Sequence, residues 1–147
     1  MKRIFFFLAI VASVSFLSSC NHNDDGDHMD DDPQYSITIN SPNTDDKQVN
    51  DDIHIHVVFE SATSETVHHA NVRIYNKADN AIEIYNGPAA EHVHETSGKY
   101  ELHADLALTE ANDVMEDTDW ILEAKVWGHE GGVGEVMESI EFHVHPE

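Results

Sequence analysis

Ile53-His54-Ile55-His56-Val57-Val58-Phe59 carries apolar residues at every second position, with histidines between the first three. Successive side chains of an extended strand point to opposite faces, so Ile53, Ile55, Val57 and Phe59 share one face and His54 and His56 the other. The stretch is a half-buried strand. The same period of two recurs on both sides of it. Tyr35, Ile37 and Ile39 alternate ahead of an Asn40-Ser41-Pro42-Asn43 turn, and Val72 and Ile74 are followed by Ile82 and Ile84 across Ala78-Asp79-Asn80. Tyr100, Leu102, Ala104, Leu106 and Leu108 make a longer run, entered through Thr96-Ser97-Gly98-Lys99. Trp120, Leu122, Ala124 and Val126 come next, then a Gly131-Gly132-Val133-Gly134 loop and the closing run Ile140, Phe142, Val144. Thr109 to Met115 reads as a helical turn or a loop. Seven to eight short strands, each with one apolar face and no long helix between them, predict an all-β fold. The expected architecture is an immunoglobulin-like antiparallel β-sandwich over residues 35–147.

A Pro-containing turn, the strand into Phe59, Ala70-Asn71-Val72-Arg73-Ile74, Ser97-Gly98-Lys99-Tyr100 and Trp120-Ile121-Leu122 together resemble small immunoglobulin-like envelope domains of the YtkA-like sort. They also resemble His-rich lipoproteins of Gram-negative envelopes. The resemblance spans roughly residues 35–145 and implies the fold rather than an activity.

The N-terminal segment implies an address. Lys2 and Arg3 precede an apolar run from Ile4 to Leu17, closed by Ser18-Ser19 and the only cysteine, Cys20. The run is short for a membrane span and ends in small residues, which is the pattern of a cleaved secretory signal over residues 1–19. Leu17-Ser18-Ser19-Cys20 resembles the lipobox of bacterial lipoproteins, which implies a lipidated Cys20 and attachment to the membrane through that lipid. Asn21, rather than Asp, follows the cysteine, and the resemblance then implies the outer membrane. Residues 20–34 are rich in aspartate and nearly devoid of apolar side chains, so they read as a self-repelling tether. An acidic stretch there also resembles the export signal of surface-exposed lipoproteins.

The formal net charge is −22, with 29 acidic residues against seven basic ones. Such a surface repels nucleic acid and anionic lipid and attracts cations. One cysteine excludes an intrachain disulfide, so the fold depends on its apolar core.

Twelve histidines are the compositional anomaly. Three His-X-His triplets stand out: His54-Ile55-His56, His92-Val93-His94 and His143-Val144-His145. In each, the middle residue suits the core, so the imidazoles look outward. Residues two apart on a strand share a face about 7 Å apart, close enough to lean onto one ion. Pairing residues 91–95 with 100–104 through the Thr96–Lys99 turn would set His92 beside His103 and His94 beside Glu101. A neighbouring strand 53–59 would add His54 and His56. The expected centre is therefore His54, His56, His92, His94 and His103, with Glu101 and Asp105 attracting the cation. A possible second metal site would use His143 and His145 with His129 or His69. Imidazole and carboxylate donors without thiolate suit a divalent transition metal such as Zn²⁺ or Cu²⁺.

The chain carries no phosphate loop, nucleophile elbow or Cys–His pair, and nothing marks it as an enzyme. The expected role is metal buffering, or delivery to an envelope metal transporter or receptor. The alternative is a non-catalytic interaction module for a partner protein or glycan at the cell surface, presenting Trp127, Tyr75 and Tyr85.

Overall fold

The structure is a computed structural model and describes residues 34–129 and 134–147. The signal over 1–19, Cys20, most of the tether and residues 131–133 of the glycine loop lie outside the described residues. Nine strands are described: β1 (Tyr35–Ser41), β2 (Lys47–Gln48), β3 (Asp52–Ser61), β4 (Val67–Asn76), β5 (Glu83–Gly87), β6 (His92–Glu95), β7 (Lys99–Ala107), β8 (Thr118–Trp127) and β9 (Val136–His145). They build an immunoglobulin-like sandwich. One sheet runs β1-β3-β7 and the other β2-β9-β8-β4-β5, with β6 also paired to β4. The count exceeds the expected seven to eight by the two-residue β2, which lies parallel to β9; every other pairing is antiparallel. Thr109 to Met115 contains a single 3₁₀ turn, Glu110–Asn112.

The alternation read from Ile53 to Phe59 is the burial pattern of β3. Ile53, Ile55, Val57 and Phe59 are all buried. Against an extended chain, four such side chains contribute about 6–12 kcal/mol as an upper bound. They meet Val72, Ile74, Trp120, Leu122, Val126, Phe142 and Val144 from the facing sheet in one cluster. Among the described residues, every buried core residue lies between Tyr35 and Val144.

Two expectations are corrected. β6 does not pair with β7; it pairs with β4, with Val67 opposite Glu95 and His69 opposite His92. The reason is an open edge. β5 covers only Val72 to Tyr75 of the ten-residue β4, leaving the backbone at Val67 to Ala70 unpaired on that side. β6 and its approach fill the gap, with Ala70 N donating to Glu91 O at 2.9 Å. Residues 96–98 then cross between sheets instead of closing a hairpin. Gly98 makes the crossing at φ +78°, and its carbonyl accepts from Ser61 N at 2.8 Å.

The second correction concerns Tyr85. A register shift in β5 sets Tyr75 opposite Glu83 and Ile74 opposite Tyr85, turning Tyr85 toward the core. Burial pushes its phenol pKa up. Trp127 and Tyr75 do lie on the outer face. Trp127 stacks on His69 at 5.2 Å, and Arg73 lies 4.4 Å over the Tyr75 ring.

Candidate metal centres

The imidazoles of the first two triplets occupy different sheets, so the single five-histidine patch does not form. Two separate groups stand in its place. The first lies where β4, β6 and the end of β8 meet. Burial along β4 changes parity between Val67 and Ala70, and both His68 and His69 fall between two core positions. On β6 the register with β4 slips by one residue, and His94 takes φ +48°. A left-handed residue at a bulge bends the strand, so side chains two apart no longer diverge as on a flat pleat. The His92 and His94 rings lie 5.4 Å apart.

His68 is the hub of this group. Its ring centroid is 5.2 Å from that of His94, 5.2 Å from that of His129 and 6.2 Å from that of His92. One ligand nitrogen from each of His68, His92 and His94 lies within 4.8 Å of the others. His69 stands 4.9 Å from His92 on the other side. Burial, and then the neighbouring imidazoles, lower the pKa of His68; burial and His92 do the same for His69. Both shifts favour the neutral ring, the protonation state that binds metal. The Nδ1 of His68 is buried and has no hydrogen-bond partner among the described residues. Such a lone ring nitrogen costs free energy unless something is bound to it.

The second group lies on the outer face of the three-stranded sheet. The β3–β7 register sets His54 opposite Asp105 and His56 opposite His103, with Val58 opposite Glu101. Five of the seven residues of the expected centre therefore do share one face: His54, His56, His103, Glu101 and Asp105. The His56 and His103 rings stack at 4.2 Å. His54 Nδ1 is 2.7 Å from Asp105 Oδ1, and His54 Nε2 is 3.3 Å from His103 Nδ1. Glu101 Oε1 accepts from Lys99 Nζ at 2.7 Å, and that bond chiefly holds the Glu101 carboxyl below its usual pKa.

His143 and His145 sit elsewhere, 4.5 Å apart on β9. His129 and His69 are not beside them. His143 pairs with Asp119 near the start of β8, whereas Trp127, the partner of His69, is the last residue of that strand, about 26 Å along it, and His129 follows it. Their neighbours are acidic instead: Asp119 at 2.8 Å and Asp117 at 3.9 Å from His143, and Asp46 at 3.2 Å from His145. The hydrogen bond to Asp119 raises the pKa of His143.

The residue that sequence reasoning missed is His68. Extending the Ala70–Ile74 strand back to Val67 would have placed a His-His pair on it, which was the available signal.

No family model matches this chain, and no curated protein matches it. Among solved structures it is similar to a CARDB domain from Pyrococcus furiosus, crystallised in complex with di-metal ions. That likeness has 18% identity and a TM-score of 0.48, covering 78% of this chain and 96% of that one. The same domain solved by solution NMR gives 19% identity and a TM-score of 0.49, covering 77% and 95%. A β-glucosidase from Listeria innocua, in complex with glucose, gives 10% identity and a TM-score of 0.43, covering 77% of this chain and 16% of that one. The likeness is one of fold.

Proposed function

We propose that this protein binds a divalent transition metal, Zn²⁺ or Cu²⁺, through the imidazoles of His68, His92 and His94, with His129 within reach as a fourth donor. One observation carries the reading: three nitrogen donors from two strands, β4 and β6, converge, and one of them belongs to a half-buried ring whose Nδ1 has no hydrogen-bond partner among the described residues. An all-imidazole set favours Cu²⁺, Zn²⁺ or Ni²⁺ over Mg²⁺ or Ca²⁺, which need oxygen. The protein is read as a metal carrier rather than an enzyme. The setting is a Gram-negative envelope, with Cys20 lipidated in the outer membrane and the acidic tether holding the sandwich off the bilayer. The resemblance to His-rich envelope lipoproteins and the lipobox-like Leu17–Cys20 string support that address. From there the domain would buffer metal or pass it to an envelope transporter.

The rival role as an interaction module has weaker support, since Tyr85 faces the core and Trp127 is stacked on His69. Calorimetric titration of residues 34–147 with Zn²⁺ and with Cu²⁺ tests the reading. Binding at micromolar levels or tighter is expected, and a His68→Ala, His94→Ala variant should weaken it at least tenfold. Unchanged titration in that variant would overturn the assignment. Metabolic labelling with a fatty acid, lost on Cys20→Ser, tests the anchor.

A further inference from the structure

The second histidine group invites a chemical question: where are its protons? Carboxylates of ionised Asp and Glu accept hydrogen bonds and donate none. Asp105 Oδ1 at 2.7 Å therefore takes the Nδ1 proton of His54. In the neutral ring, His54 Nε2 is then a bare acceptor, and its partner at 3.3 Å, His103 Nδ1, must be the donor. His103 Nε2 is left with an exposed lone pair. That nitrogen is 3.5 Å from Glu101 Oε2, and His56 Nε2 lies 3.6 Å from the same oxygen. His56 Nε2 is buried and has no hydrogen-bond partner among the described residues. Lys99 occupies the other carboxylate oxygen, Oε1, and leaves Oε2 turned to the imidazoles. His103 Nε2 and Glu101 Oε2 thus face each other as two lone-pair atoms, and His56 Nε2 supplies a third when its ring carries the proton on Nδ1.

The spacing fits a metal ion. Tetrahedral ligands at about 2.0–2.1 Å from an ion stand about 3.4 Å from each other. Two of the three edges, at 3.5 and 3.6 Å, are already close to that length, and one ligand atom from each of His56, Glu101 and His103 lies within 4.8 Å of the others. Half of the His103 side chain is open to solvent, so a fourth position is accessible to water.

We infer that His56, His103 and Glu101 form a second, independent divalent-metal site on the opposite sheet from the first, with Asp105 and His54 as a relay that fixes the His103 tautomer. It goes beyond the all-imidazole reading and differs from it in chemistry. One carboxylate oxygen and two nitrogens accept Zn²⁺ and harder ions such as Fe²⁺ or Mn²⁺, whereas the β4–β6 group offers nitrogen alone. Asp105 and His54 are positioning residues. Neither need touch the ion.

The test uses the full-length protein in detergent, titrated with Zn²⁺ by calorimetry and with Co²⁺ by its visible absorption. The His68→Ala, His94→Ala variant should retain one equivalent whose Co²⁺ spectrum reports mixed nitrogen and oxygen ligation. Adding His103→Ala and Glu101→Gln should remove that equivalent. Asp105→Asn should weaken it by about 10–100-fold while leaving the β4–β6 equivalent unchanged, as for outer partners of metal-bound histidines. Asp105 is exposed, so its replacement threatens no core packing. Retention of full stoichiometry in the His103→Ala, Glu101→Gln variant would overturn the site, and an unchanged affinity in Asp105→Asn would overturn the relay. Should the His68→Ala, His94→Ala change lose nothing while the His103→Ala, Glu101→Gln change loses everything, the first reading fails and this one stands.

Discussion

Replacing His68 with leucine should make the metal-free protein more stable and the metal-loaded protein less so. His68 is half-buried, and its Nδ1 is buried without a partner among the described residues. An unsatisfied buried polar atom costs about 1–3 kcal/mol, and a partly exposed ring sits at the low end of that range. Leucine is similar in size, carries no polar atom and continues the apolar contact begun by Val67. The expected gain without metal is about 1 kcal/mol. With a urea slope of about 2 kcal/mol per molar, the unfolding midpoint should rise by about 0.5 M. With metal the sign reverses. A site at one hundredfold excess of ligand over its Kd stabilises by about 2.7 kcal/mol, and that increment should disappear from the variant. Urea unfolding followed by tryptophan fluorescence suits the measurement, because Trp120 is fully buried. Curves in EDTA and in excess Zn²⁺ give both signs from one variant. A lower midpoint in EDTA, together with an undiminished zinc increment, would refute the reasoning. His68 would then be a satisfied structural residue.

Gly98→Ala should cost about 1–2 kcal/mol, because φ is +78° and the new Cβ would sit 3.1 Å from Ser64 Cα; thermal unfolding measures it. Ile55→Ala should cost about 2–5 kcal/mol through the cavity it leaves, and should weaken zinc at the three-stranded sheet while sparing the β4–β6 group. Calorimetry on the His68→Ala, His94→Ala background would show the weakening, and on the His103→Ala, Glu101→Gln background the unchanged β4–β6 group. The His143–Asp119 pair predicts a pH window. A raised histidine contributes fully below its unfolded value of 6.5 and loses that contribution as pH rises through the folded one. A lowered aspartate contributes fully above 3.8 and loses it as pH falls. Stability from this pair is therefore greatest between those values, and Asp119→Asn should flatten the urea-midpoint profile on both sides.

The strands were legible because burial on a sheet repeats every two residues, and residues 53–59 and 100–108 obey that rule without interruption. Their outer residues followed at once. His54, His56, His103, Glu101 and Asp105 share a face because the β3–β7 register is regular from Asp52 to Glu60. The four residues of β6 were a different matter. Alternation put His92 and His94 outward, but it carried no information about which open edge would take them. That depended on β5 stopping short along β4, a non-local fact about backbone hydrogen bonds. Tyr85 and His68 show the same limit. Each faces where it does because a register shift or a change of burial parity interrupts the period of two, and such interruptions arise from pairing with distant segments. Composition and local period determined an acidic, histidine-rich β-sandwich by themselves. Only the tertiary structure decided which imidazoles meet, since strand partners are chosen by the edges left open elsewhere in the chain.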